Sequence, residues 1–285
     1  MAAPMTRRFM LAALVAGPLV LTTASAAPAA APAREPAIRA VARTAREQHP
    51  LRIHIAGDST AAQKYAPAAP ETGWGMALPW YVAARTEVLN HAMNGRSSRT
   101  FVEEGRLAEI LADLRAGDVL LVQFGHNDEK SDPLVRTDPW TTYQSFLRLY
   151  VDGARQRGAV PVLLTPTERW RFDDDGNAVA THGRYPDAMR ALAAAEGVPL
   201  IDITAQTIAR WQQLGPQSSR LDFLRTADGF EDKTHFNAAG AGVVGQMVAR
   251  GLLATGVLAE NALRRLDEDV PAPWFTWPEK VPAVA

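Results

Sequence analysis

A serine hydroxyl becomes a nucleophile only when a base takes its proton and donors await the oxyanion it creates. Four short blocks of this chain hold the residue types for that chemistry. They are Gly57-Asp58-Ser59-Thr60, Asn94-Gly95-Arg96-Ser97-Ser98-Arg99, Gln123-Phe124-Gly125-His126-Asn127-Asp128 and Asp232-Lys233-Thr234-His235-Phe236. Ser59 follows an apolar alternation through Leu51, Ile53 and Ile55 that breaks at Gly57. That is the end of a strand, where open α/β sheets build their sites. His235 can take the Ser59 proton, and Asp232 can turn back to hold the imidazole in one tautomer. The backbone N–H groups of Ser59 and Gly95 and the side-chain amide of Asn127 can serve the oxyanion. Glycine at 95 lets the backbone come close to a reacting carbonyl.

These blocks need a frame that brings them together. Five apolar runs read as buried strands: Leu51–Ala56, Glu87–His91, Val119–Phe124, Val160–Thr165 and Val198–Ile201. Helical patterns separate them at Trp74–Arg85, Thr100–Leu114, Tyr143–Gln156 and Pro186–Glu196, and Gly117 and Gly158 close two of these. Two further helices are expected over Thr204–Leu214 and about Asn237–Leu253. Strand and helix in alternation predict right-handed crossovers and a parallel sheet with helices on both faces. The first three blocks fall at carboxyl ends of strands and converge by topology; the fourth lies in a late loop.

In order and spacing, the four blocks resemble those of the SGNH (GDSL-like) hydrolases, and more narrowly the rhamnogalacturonan acetylesterases. Thr181-His182-Gly183-x-Tyr185-Pro186 and Val198-Pro199-Leu200-Ile201-Asp202 match the same pattern, and the resemblance runs from Leu51 to Leu253. It implies a three-layer α/β sandwich with a five-stranded parallel, flavodoxin-like doubly wound sheet. It also implies a Ser59–His235–Asp232 triad, an oxyanion hole of Ser59, Gly95 and Asn127, and no metal or cofactor. The implied reaction is removal of O-acetyl groups from a plant cell-wall polysaccharide, acetylated rhamnogalacturonan above all. Trp74, Arg99 and His182 are the expected substrate contacts. One departure is Lys233, where an acidic residue is expected. Three alternatives stay open: a lipolytic esterase or thioesterase on the same fold, an acetylxylan esterase, and a non-catalytic carbohydrate-binding protein.

The remaining residues bound the reading. The formal net charge is −1, so no basic balance points to nucleic acid, and the absence of cysteine removes thiolate chemistry and disulfides. Arg7 and Arg8 precede an apolar run from Phe9 to Leu21, and Ala24-Ser25-Ala26 follows. This predicts a cleavable signal over 1–26, of ordinary or twin-arginine type, hence a periplasmic or secreted enzyme with no stable membrane insertion. An Ala/Pro-rich linker (27–50), the hydrolase domain (51–262) and a Pro/Trp-rich tail (263–285) complete the expected organisation. Gly240-Ala241-Gly242-Val243-Val244-Gly245 matches a dinucleotide fingerprint but follows no strand, so it reads as a helix face thinned for packing on the sheet. Asp173-Asp174-Asp175-Gly176-Asn177 reads as a turn, and His54 and His91 as core or rim residues.

Overall fold

The computed structural model describes residues 50–279. The expected signal segment, nearly all of the linker and the last residues of the tail lie outside them. Among the described residues no helix is long and apolar enough to cross a membrane.

The central sheet is five-stranded and parallel, in the order β2-β1-β3-β4-β5. Its strands are β1 (Arg52–Gly57), β2 (Glu87–Asn90), β3 (Val119–Gln123), β4 (Val160–Leu164) and β5 (Leu200–Ile201). Every residue of β1, β3 and β4 is buried, as continuous apolar runs with a helical layer on each face require. Side chains alternate between the two layers. Ile53, Ile55, Val119, Leu121, Val162 and Leu164 face one, with Trp74, Leu78, Trp211, Val244 and Val248. Ala56, Leu120, Val122 and Leu163 face the other, with Phe101, Ile110, Leu147, Tyr150 and Leu192.

The helices are α1 (Trp74–Tyr81), α2 (Ser98–Glu103), α3 (Arg106–Asp113), α4 (Gln144–Gln156), α5 (Tyr185–Glu196), α6 (Ile203–Ser219) and α7 (Ala238–Ala254). The single helix expected over Thr100–Leu114 is two. Gly105, at φ +79°, breaks the ladder between α2 and α3, a left-handed conformation that costs glycine nothing. Gly240 and Gly245 of α7 do allow close packing, but against α1 and the segment at Asp222 rather than against the sheet. A Cβ at Gly245 would stand 2.8 Å from the Ala77 Cβ on α1, and one at Gly240 only 2.0 Å from the Asp222 carbonyl oxygen.

Sequence patterning missed a two-stranded ribbon. The segment carrying Asp232 and His235 is not a loop but a strand, β7 (Glu231–Phe236), paired antiparallel with β6 (Phe223–Arg225). Its sequence is almost wholly polar; Phe223 and Phe236, both fully buried and 5.3 Å apart, anchor the ribbon to the core. Two more backbone bonds fix its course, from Thr72 N–H to Phe236 O at 2.9 Å and from Trp170 N–H to Lys233 O at 2.8 Å.

The tail packs back over α1. Trp274 meets Trp80 edge-on at 5.1 Å, Phe275 is buried against Met76 and Ala77, and the Trp277 indole donates to the Glu71 carbonyl at 2.8 Å. His54 is fully buried, its ring stacks on His91 at 5.3 Å, and Nδ1 of His54 lies 3.1 Å from Nε2 of His91. The Asp173 loop closes as a turn, its carboxylate accepting from the N–H groups of Asp175 and Asn177 at 3.1 and 2.7 Å.

Candidate active site

Beyond Gly57 the chain turns at once. The buried Asp58 carboxylate accepts from the N–H and hydroxyl of Thr60 at 2.9 and 2.7 Å, and the Asp58 carbonyl accepts from Ala61 and Ala62. This turn leaves Ser59 projecting from the carboxyl end of β1. Burial opposes ionisation of Asp58, but His126 and the Thr60 donors outweigh it and hold the carboxyl down at about 2.

β7 supplies the partners. The Asp232 carboxylate accepts from the N–H groups of Thr234 and His235 at 2.6 and 2.9 Å through one oxygen, and from His235 Nδ1 at 2.8 Å through the other. A bond at Nδ1 fixes the tautomer. His235 Nε2 is thus left as acceptor for the Ser59 hydroxyl, 2.8 Å away. Burial works against the Asp232 charge, but His235 and the two backbone donors hold its carboxyl far below the usual carboxylate range. It is therefore ionised throughout neutral pH and can stabilise an imidazolium. Arg220 anchors the far side, donating to the Asp232 carbonyl at 2.7 Å.

The oxyanion candidates meet the same sheet edge. Met93 N–H donates to Gly57 O at 2.9 Å, which clamps the loop after β2 against the end of β1. Gly95 sits at φ +78° with nothing within 4 Å of where a Cβ would be, so its conformation rather than crowding calls for glycine. Asn127 donates one amide hydrogen to Arg96 O at 2.9 Å, which aims the side chain and leaves its second hydrogen. The N–H groups of Ser59 and Gly95 donate to no acceptor among the described residues. Donors left without full satisfaction are what an oxyanion needs, and all three come from chain segments that follow carboxyl ends of neighbouring strands.

The expected substrate contacts fare differently. Trp74 is 0% exposed and its indole donates to Gln123 Oε1 at 2.8 Å, so it presents no face to a sugar. Its apolar bulk completes the core beneath the site instead. His182 is likewise buried. Its Nε2 donates to Thr167 O at 2.7 Å, Nδ1 lies 3.2 Å from Glu129 Oε2, and its ring meets His126 edge-on at 4.4 Å. It braces the wall rather than lining the cleft. Arg99 is at the surface of α2, where it is engaged by Glu103 at 2.8 Å and Pro133 O at 3.1 Å. Lys233 stands over the Trp170 ring, 5.5 Å from its centroid.

Two residues that sequence reasoning passed over belong to the site. Glu71 Oε1 lies 4.0 Å from His235 Nε2, and Lys64, buried behind it, reaches the same oxygen at 2.6 Å. Neither sits in a motif; the only signal is a lone lysine shortly after the serine in an Ala/Pro-rich stretch.

The model of the GDSL-like Lipase/Acylhydrolase family matches residues 55–243. A rhamnogalacturonan acetylesterase of Bacillus subtilis (strain 168) is 42% identical over 222 residues, spanning 75% of this chain and 94% of that protein. A rhamnogalacturonan acetylesterase of Emericella nidulans is 30% identical over 241 residues, spanning 76% and 91%. Among solved structures, the Bacillus subtilis protein YxiM superposes with a TM-score of 0.65 at 28% identity, covering 72% of this chain and 57% of that one. The Geobacillus stearothermophilus acetylxylan esterase Axe2, as a catalytic mutant, superposes with a TM-score of 0.52 at 16% identity, covering 72% and 93%, a likeness of fold. By fold, by the order of its four blocks and by these matches, the chain belongs to the GDSL-like lipase/acylhydrolase family.

Proposed function

We propose that this protein is a serine esterase that removes acetyl groups from acetylated rhamnogalacturonan. The observation that carries the chemistry is the unbroken relay Ser59–His235–Asp232, with both links at 2.8 Å. Ser59 Oγ attacks the acetyl carbonyl as Nε2 of His235 takes its proton. The negative charge gathers on the former carbonyl oxygen, and in this reading the N–H groups of Ser59 and Gly95 and the amide of Asn127 donate to it. The bond to the sugar oxygen breaks, and that oxygen takes the proton from His235. Water, deprotonated by the same nitrogen, then attacks the acetyl-enzyme; acetate leaves and Ser59 regains its proton.

The substrate rests on the relatives. Two proteins named for rhamnogalacturonan deacetylation align with nearly their whole length to this chain. Acetate release from acetylated rhamnogalacturonan, acetylxylan and a series of aryl esters of rising acyl length tests the reading. It expects the highest kcat/KM on rhamnogalacturonan and a fall with acyl length; a rise with acyl length favours the lipolytic alternative. The enzyme is proposed to act outside the cytoplasm, on the strength of Arg7-Arg8, the apolar run to Leu21 and Ala24-Ser25-Ala26.

A further inference from the structure

Lys64 is 1% exposed, and a lysine is almost never so buried unless its charge is paired. It lies in the segment between β1 and α1. Its ammonium donates to Glu71 Oε1 at 2.6 Å and to Asn94 Oδ1 at 2.8 Å. Asn94 precedes Gly95 in the oxyanion loop. Glu71 Oε1 is 4.0 Å from His235 Nε2, the nitrogen that exchanges its proton with Ser59. One buried cation thus ties the loop that receives the oxyanion to the carboxylate that faces the base.

Several elements present groups to His235. On its own strand, Asp232 holds Nδ1 at 2.8 Å, and Lys233 is turned over Trp170. Arg220, packed beside the strand, is spent on the Asp232 carbonyl and on Glu231. From the β1 turn comes Ser59, with Asp58 buried behind it. From the segment before α1 comes Glu71, with Lys64 behind it. Glu71 is therefore the one carboxylate facing Nε2 among these groups. A bare carboxylate there would favour the imidazolium and so withhold the base. It would also offer the Nε2 proton an acceptor other than the sugar oxygen.

We propose that Lys64 and Glu71 form a positioning pair for the esterase reaction, in which Lys64 neutralises and orients Glu71 so that His235 stays free to accept the Ser59 proton. The pair rests on the reading of His235 as the base. Burial lowers the proton affinity of Lys64, and Glu71, Asp58 and Asp232 oppose that fall, so the cation is held by the surrounding carboxylates. The Trp277 indole, donating to the Glu71 backbone at 2.8 Å, keeps the tail pressed over the same segment.

The test is the pH dependence of kcat/KM for acetate release by K64M and by K64M/E71Q, which share the loss of the cation and differ only in the Glu71 charge. K64M should show its acid limb moved up by about one pH unit, the lower end of the effect of a close opposite charge. K64M/E71Q should return the limb to its wild-type position, and K64R, which keeps the charge, should leave it there. If K64M does not fold, E71Q carries the same test with opposite sign, because the stranded ammonium disfavours the imidazolium and the limb moves down. A merely structural pair would lower the melting temperature of each variant and leave every limb in place, and that result overturns the proposal. His235→Ala run alongside separates the two levels: if it retains turnover, the assignment of the base fails first. If it is inactive and the limbs do not move, only the pair fails.

Discussion

Asp232–His235 and Asp58–His126 are the same two residue types at similar separations, 2.8 and 3.2 Å. In the first pair the carboxylate is aligned on Nδ1, its other oxygen is held by two backbone donors, and the imidazole side chain is 27% exposed with Nε2 on a serine hydroxyl. In the second pair both residues are buried and the close oxygen and nitrogen are not aligned for a hydrogen bond. Burial pushes the His126 imidazole down to about 4, only partly opposed by Asp58, so it stays neutral across the working range. A histidine that cannot be reached and cannot change charge near neutrality braces a wall. Alignment and access, rather than proximity, separate the base from its neighbour.

The largest effect that can break this contrast is at the relay. Ser59→Ala and His235→Ala should each lose on the order of 10⁴–10⁶-fold in kcat with the melting temperature preserved, and the double variant should be no worse than either. His126→Asn should do the reverse. Its kcat per folded molecule should stay near wild type while stability falls by about 1 kcal/mol, or roughly 2–4 °C in melting temperature. A His126 variant that folds normally but is inactive would erase the distinction between the two pairs.

A smaller effect is expected at Asn127, which follows His126 in the chain but belongs to neither pair. Asn127→Ala should lower kcat by about 10²–10³-fold with little change in KM, because its donor strengthens only as the oxyanion forms. Asn127→Asp should be at least as poor, since a carboxylate repels that charge. Normal kcat with a reduced melting temperature would make Asn127 a turn residue held by Arg96 O.

The smallest effect sharpens the contrast through pH. His91 is pushed down to about 4 by burial and the neighbouring His54, as His126 is by burial. Unfolded imidazoles titrate near about 6.5. Between these values the unfolded chain binds protons that the fold refuses, so stability should fall as pH drops from about 6.5 to about 4. Asp128 opposes this. Burial raises its carboxyl to about 6 against the pull of its Ser98 and Thr137 donors, whereas an unfolded aspartate titrates near about 3.9. The fold therefore holds a proton there that the unfolded chain releases. Two buried imidazoles outweigh one carboxyl, so the melting temperature should decline with acid, and Asp128→Asn should steepen the decline. A melting temperature flat over this range would count against charge exclusion at both histidines.

What could be read from the residues follows from the same physics. The five parallel strands were legible because burial on both faces demands runs such as Val-Leu-Leu-Val, whereas the order β2-β1-β3-β4-β5 was implied only by the family resemblance, since right-handed crossovers allow more than one order. Ser59, Gly95 and Asn127 were legible as blocks at strand ends. β7 was not, because Glu-Asp-Lys-Thr-His-Phe has no apolar alternation; it is a strand only because β6, Thr72 and Trp170 pair with it. Trp74 was misread as a sugar platform because an aromatic near a strand end has two uses, and only its 0% exposure decides between them. Lys64 and Glu71 were invisible because their meaning lies in a tertiary contact with His235 and Asn94.

The central claim is that one hydroxyl, Ser59, is activated by one imidazole, His235. It is tested most directly by a fluorophosphonate reagent followed by mapping of the labelled peptide. Stoichiometric label on Ser59, loss of activity in step with labelling, and no labelling in His235→Ala are the results expected. Full inactivation with the label on another residue, or normal labelling of Ser59 in His235→Ala, would contradict it.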